Sequence, residues 1–245
     1  MKTEENTKTN LIDKMFQAGA HFGFAKSRRH PSALPFIFGK KNNVEIFDLE
    51  KVEEKLKEAK EFVSKVASQK KQILFVGGKR ESQGIIKDVA DRIEMPYVAG
   101  RWIGGTITNF EEIRKRVKKL QELSSQKEKG ELGKYTKKER LMIDRQIIKL
   151  EDRFGGIVPM DRKPGAVFII DAEKESIARD EAIKNNIPVI SLMSTDCDMT
   201  KVQYAIPAND TSVKSIRFFA EEIASAYQEG LKQVDAKKED PKQAK

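Results

Sequence analysis

The sequence predicts an α/β chain: a parallel sheet with helices on both faces, interrupted by an inserted, coiled-coil-like antiparallel helical hairpin. Three observations carry this. The apolar runs at 73–76, 167–170 and 188–192 are too short for helices and suit strands buried on both faces. Stretches of helical spacing separate them, as crossover connections in a parallel sheet require. Residues 106–154 break that alternation with two narrow apolar seams joined by a polar turn.

Along the chain, residues 1–9 and 232–245 are polar and charged and read as mobile tails. Asn10 reads as the N-cap of a short helix carrying Leu11, Met15 and Ala18, which Gly19 ends. Residues 36–38 and 44–47 flank Gly39-Lys40-Lys41-Asn42-Asn43, a hairpin signal with a basic tip. Leu49, Val52, Leu56, Ala59, Val63 and Val66 recur at three/four spacing, one buried stripe of a long helix. The strand 73–76 ends at Gly77-Gly78, and Ile85, Ile86 and Val89 mark the helix before a strand at 96–99. Thr108-x-x-Glu111 and Thr136-x-x-Glu139 each have the form of a capping box. The first precedes Phe110, Ile113, Val117 and Leu120; the second precedes Ile143, Ile147, Leu150 and Phe154. After them come a strand at 167–170, a helix with Ile177, Ala178 and Ile183, and strands at 188–192 and 203–206. Val213, Ile216, Phe219, Ile223 and Tyr227 mark the last helix. The α/β domain therefore spans 10–105 and 155–231, with the hairpin at 106–154 inserted between its halves.

A chain of 245 residues can bury a core of its own as one domain with a subdomain. Its single Cys excludes a disulfide framework or a zinc ribbon. No apolar run approaches the roughly 18–20 residues of a membrane span, and residues 1–10 lack the apolar core of a signal peptide. The expected molecule is soluble, cytoplasmic and without a membrane partner.

The formal charge of +9 is unevenly spread. From Lys14 to Val44 there is no acid, while Lys14, Lys26, Arg28, Arg29, Lys40 and Lys41 are all basic. The hairpin carries Arg114, Lys115, Lys118, Lys119, Lys137, Lys138, Arg140 and Arg145. Residues 166–231 are net acidic and are expected to face away from the polyanion that such basic stretches attract.

Catalytic readings fail on spacing. Phe75-Val76-Gly77-Gly78-Lys79-Arg80 lacks the Gly a phosphate loop needs four residues before its Gly-Lys pair, and Arg80 stands where Ser or Thr belongs. Gly100-x-x-x-Gly104-Gly105 lacks dinucleotide spacing, and Asp171 reads as a cap for the following helix. Cys197 lies between Asp196 and Asp198, which disfavour its thiolate. His21 and His30 are the only histidines and form no triad or metal set. No catalytic residue, cofactor, metal or small-molecule substrate is expected.

Seven motifs now stand in order. They are Ala18-Gly19-Ala20-His21-Phe22-Gly23, Arg28-Arg29-His30-Pro31, Pro35-Phe36-Ile37-Phe38-Gly39, the run 73–80, Arg101-Trp102-Ile103-Gly104-Gly105-Thr106-Ile107-Thr108-Asn109, Val167-Phe168-Ile169-Ile170-Asp171-Ala172 and Ile206-Pro207-Ala208-Asn209-Asp210. From about Leu11 to Leu231 the chain resembles the bacterial ribosomal protein S2 family. The resemblance implies a flavodoxin-like three-layer α/β/α fold with an inserted hairpin. It also implies a structural role in the small ribosomal subunit, bound to 16S rRNA between head and body and helping to dock ribosomal protein S1 among neighbouring ribosomal proteins. The residues it points to for rRNA are His21, Phe22, Lys26, Arg28, Arg29, Lys40, Lys41, Lys79, Arg80, Arg101 and the hairpin's basic face. Phe22 and Trp102 also suit core positions, and His21 suits a structural histidine. The other readings are a free-standing RNA-binding protein of this fold and a nucleotide-dependent enzyme. The chain departs from the family at Phe24, at Ser194-Thr195-Asp196-Cys197-Asp198-Met199 and at Ala208, which bears on the shape of the loop 194–201.

Overall fold

The computed structural model describes residues 11–239. Helix α1, over residues 11–17, ends where expected. Gly19 adopts φ +71°, Ala20 N–H reaches back to Met15 O at 3.0 Å and Gly19 N–H to Phe16 O at 2.9 Å, so the last turn closes on itself. The expected cap Asn10 lies outside the described residues.

A small antiparallel sheet follows, from β1 (Phe22–Ala25), β2 (Ile37–Lys41) and β3 (Val44–Phe47) in the order β1-β3-β2. The β2–β3 turn is tighter than its five-residue signal suggested. Lys40 and Lys41 are strand residues, and only Asn42 and Asn43 turn, with φ 49° and 67°. Two central residues with positive φ match the twist of the flanking strands, and Asn tolerates that conformation. Strand β1 was not foreseen, because its four residues include a glycine and do not alternate.

Next come α2 (Leu49–Ser68), β4 (Ile73–Val76), α3 (Arg80–Arg92) and β5 (Tyr97–Val98). Helices α4 (Phe110–Glu128) and α5 (Lys137–Phe154) pack together as the hairpin. The chain ends with β6 (Ala166–Ile170), α6 (Ser176–Lys184), β7 (Val189–Met193), β8 (Tyr204–Pro207) and α7 (Val213–Glu239). The helix therefore runs past 232, where a tail was expected to begin. Residues 1–9 and 240–245 of the two expected tails lie outside the described residues.

The large sheet is wholly parallel, ordered β5-β4-β6-β7-β8. Successive strand residues point to opposite faces, so each run feeds two cores. Ile73, Phe75, Phe168, Ile170, Ile190 and Leu192 pack against α2, α3 and α7. Leu74, Val76, Val167, Ile169, Val189 and Met193 pack against α6 and the hairpin root. That double burial is why the strands read as unbroken apolar runs. The root of the hairpin is core as well: Ile113, Val117 and Phe154 are buried in the second cluster.

One capping box forms and one does not. Thr136 Oγ1 accepts from Glu139 N–H, and Glu139 Oε2 accepts from Thr136 N–H. At the first, α4 starts one residue late on Asn109, which makes no side-chain cap. Thr108 N–H and Oγ1–H both donate to Glu181 Oε2 instead. A buried carboxylate is the stronger acceptor and takes the donors that the box needed.

Candidate nucleic-acid interface

The basic N-terminal segment lies on the small sheet and is braced by the loop 194–199. Phe24 N–H donates to Thr195 Oγ1 at 2.9 Å, His30 N–H to Thr195 O at 2.8 Å, and Met199 N–H to Ser32 Oγ at 3.0 Å. A Cβ at Gly23 would stand 2.5 Å from Thr195 Cγ2, so this approach requires glycine. Two departures from the family's pattern thus touch each other. The Arg28 guanidinium lies 4.4 Å over the Phe24 ring and 3.5 Å from Asp196, bracketed by a residue from each.

The expected cations of this segment are not equivalent. Arg29 bonds to Glu45 at 2.9 Å, where Glu45 is buried, so that charge is spent inside the fold. Lys26, Lys40 and Lys41 are exposed and have no ion-pair partner among the described residues. His21 is buried, stacked 4.4 Å from Phe16 and 4.0 Å from Phe22. Burial first, then the nearby Lys41 ammonium, pushes its pKa down, which keeps the ring neutral. Phe22 is 46% exposed and not a core residue, whereas Trp102 is buried.

Lys79 requires correction. It does not present its charge at the surface: it is 8% exposed, with Nζ 2.6 Å from Asp171 Oδ2 and 2.9 Å from Asp210 Oδ2. Burial alone would depress its pKa, but the two carboxylates raise it. Asp171 also accepts from Glu173 and Lys174 N–H, but this closes the turn before α6 rather than capping the helix, whose N-cap is Glu175 with no side-chain bond, a correction to the expected cap. Burial pushes Asp210 up to about 6 despite Lys79, because Asp171 adds a second negative charge beside it. The cluster sits between β4 and β6, where the strand order reverses and where open α/β sheets hold their ligands. Here side chains fill that crevice. A Cβ on Gly78 would stand 2.1 Å from Glu175 Oε1, so its loop is packed against protein. Asp171, Cys197 and Asp210 converge within 4.8 Å, but the cation between the two carboxylates is the Lys79 ammonium. Burial and then Asp171 and Asp196 drive the Cys197 thiol far above its ordinary range, so it stays protonated.

Glu181, unforeseen from sequence, anchors the hairpin. Its carboxylate accepts from Gly105 N–H at 2.6 Å, Ile107 N–H at 3.0 Å, Thr108 N–H at 3.2 Å and Trp102 Nε1–H at 3.3 Å. Burial would raise its pKa, but these donors hold it below the ordinary range. The run 101–109 is thereby gathered around one carboxylate, which fixes where α4 leaves the sheet.

Among the hairpin cations, Arg114 is tied to Asp161, Lys115 to Glu112 at 2.5 Å, and Arg140 to the carbonyls of Tyr135 and Gly133. Lys118, Lys119, Lys137, Lys138 and Arg145 are exposed with no ion-pair partner among the described residues, as are Arg80 and Arg101 on the sheet domain.

Several acids of 166–231 pair with cations from earlier parts of the chain. Asp171 and Asp210 hold Lys79, Asp196 holds Arg28, Glu221 holds Arg92 and Glu222 holds Lys60. Five acids of the C-terminal third are thus paired with cations of the N-terminal part, while Glu173 and Asp180 pair with Arg179 within the third itself.

Comparison with known proteins bears on the same stretch of chain. The "Small ribosomal subunit protein uS2" of Roseiflexus sp. (strain RS-1) is 43% identical over 216 residues, 88% of this chain and 82% of that protein. Its counterpart in Chloroflexus aurantiacus (strain ATCC 29366 / DSM 635 / J-10-fl) is 38% identical over 228 residues, 93% of this chain and 96% of that one. That of Coprothermobacter proteolyticus is 41% identical over 219 residues, 89% and 82% of the two chains. The family model for ribosomal protein S2 matches residues 15–230, from α1 into α7, and with these relatives it places the chain in the ribosomal protein S2 family.

Proposed function

We propose that this chain is a structural, non-catalytic constituent of the small ribosomal subunit, in the cytoplasm, bound to 16S rRNA between head and body. In this reading residues 106–154 are an inserted arm, and both the arm and the small sheet turn cations toward RNA phosphates. The surface beside them helps to dock ribosomal protein S1 among the neighbouring ribosomal proteins. What supports it most is the distribution of cations. Lys26, Lys40, Lys41, Lys118, Lys119, Lys137, Lys138 and Arg145, gathered in the N-terminal segment and the hairpin, lack ion-pair partners among the described residues, while Lys60, Arg92 and Arg217 on the long helices are paired. Folded RNA offers a lattice of phosphates read by shape, which suits scattered point charges better than a pocket. The crevice a nucleotide would occupy is filled by the Lys79 ion pairs.

Sedimentation of the endogenous protein on a sucrose gradient tests this. Co-migration with small subunits at low salt, with release by a high-salt wash, is the expected result. Migration only as free protein at low salt contradicts it.

A further inference from the structure

Phe16, His21 and Phe22 form a short column of rings at the edge of the small sheet. The Phe16 and His21 rings are 4.4 Å apart and nearly parallel, at 9°, and Phe22 stands 4.0 Å from His21 at 41°. His21 Nδ1 is buried with no hydrogen-bond partner among the described residues, so contact with two phenyl rings holds the imidazole in place. The column ends in solvent: Phe16 is 60% exposed and Phe22 46%. Their positions are set by the backbone. The closed end of α1 leads through Gly19 directly to β1, and Gly19 has the Phe22 ring beside it, 3.7 Å from where a Cβ would be. Lys41 reaches this column closely enough to influence His21, and it has no ion-pair partner among the described residues.

Exposed aromatic faces beside free ammonium groups are how proteins hold unstacked nucleotides, the ring taking the base and the cation its phosphate. We propose that the Phe16–His21–Phe22 column is a stacking site for an unpaired nucleobase of the bound RNA, with Lys41 on an adjacent phosphate. This rests on the RNA-binding reading above and adds to it a single-stranded nucleotide at a defined place. The site is indifferent to base identity, since every base offers a π-face.

The test uses the full chain, a 16S rRNA transcript, and the variants Phe16→Leu, Phe22→Leu and Lys41→Ala. The leucines remain apolar and replace exposed rings, and an unchanged thermal melt confirms that each variant folds. Each leucine variant is expected to bind about tenfold more weakly with its salt dependence intact, because stacking releases no counterions. Lys41→Ala is expected to flatten the slope of log K against log salt by about 0.7–0.9. Ultraviolet cross-linking of the parent is expected to leave nucleotide adducts on the tryptic peptide from Met15 to Lys26, which carries all three rings. Leucine variants that bind as the parent does overturn the stacking site, while a flattened slope for Lys41→Ala leaves the RNA reading standing. A parent that binds no transcript overturns both. Unchanged transcript binding with poor incorporation into small subunits would assign the rings to a protein neighbour and also overturns the proposal.

Discussion

Lys79 and Arg29 both follow motifs rich in small or basic residues, and in sequence nothing separates them from Lys26 or Lys40. Their burial is decided by partners far along the chain: Asp210 lies 131 residues from Lys79, and Glu45 lies 16 residues from Arg29. This gives each a different expected phenotype from that of a surface cation. Arg29→Ala leaves the Glu45 carboxylate buried without its cation, and should cost about 3 kcal/mol, the low end for a broken buried pair since water still reaches Arg29. Denaturant unfolding checks this; a loss of RNA affinity without a loss of stability would contradict it. Asp210 gives a pH signature. Its folded pKa of about 6 exceeds the ordinary value of 3.8, so between those limits the folded protein holds a proton the unfolded chain has lost. The stability contributed by this group therefore falls as pH rises from about 4 to about 6. Asp210→Asn removes that decline, and its melting temperature should match the parent's near pH 4 and equal or exceed it at pH 7.5. A variant less stable than the parent at pH 7.5, with the decline unchanged, would contradict the assignment.

At the level of elements, the strands, the long helices and the second capping box were legible because their signals are local: runs, spacing and a Thr–Glu pair three apart. What was not legible came from competition across the fold. The Thr108 box is lost to a carboxylate on α6, and Glu181 itself sits in a helix whose sequence offers no sign that it serves another element. Strand β1 exists because β3 pairs with it and Thr195 covers Gly23, neither of which its own four residues announce. Glu181→Ala tests the anchoring role. It strands the buried Ile107 N–H and the Trp102 indole N–H and should cost at least about 2 kcal/mol, with hydrogen exchange rising first in 101–112. Exchange that stays slow there, with a normal melt, would show that the hairpin root does not depend on this carboxylate. Because the carboxylate is held below its ordinary pKa, its contribution is present above the ordinary carboxylate range and is lost as pH falls through the folded value.

Across the whole molecule, the net charge of +9 pointed to a polyanion, and the clustering along the chain pointed to the small sheet and the hairpin. The three-layer fold was legible at the same level, since a parallel sheet between helices follows from the order of runs and periods. Charge cancellation was not, because it depends on which side chains meet. Of the N-terminal basic segment, Arg29 is tied to a buried carboxylate and Arg28 is bracketed, while Lys26, Lys40 and Lys41 remain without partners among the described residues. On α2, α3 and α7, Lys60, Arg92 and Arg217 are exposed or half-buried yet paired with Glu222, Glu221 and Asp88. In the function proposed above, the unpaired cations of the N-terminal segment and the hairpin, and not cations in general, hold the RNA. The salt dependence of 16S rRNA binding separates the two. Replacing Lys26, Lys40 and Lys41 by alanine together should flatten the slope of log K against log salt by about two to three units. Replacing Lys60, Arg92 and Arg217, which removes the same charge, should leave the slope where it was. Equal flattening by both triple variants, or none by the first, would contradict the account.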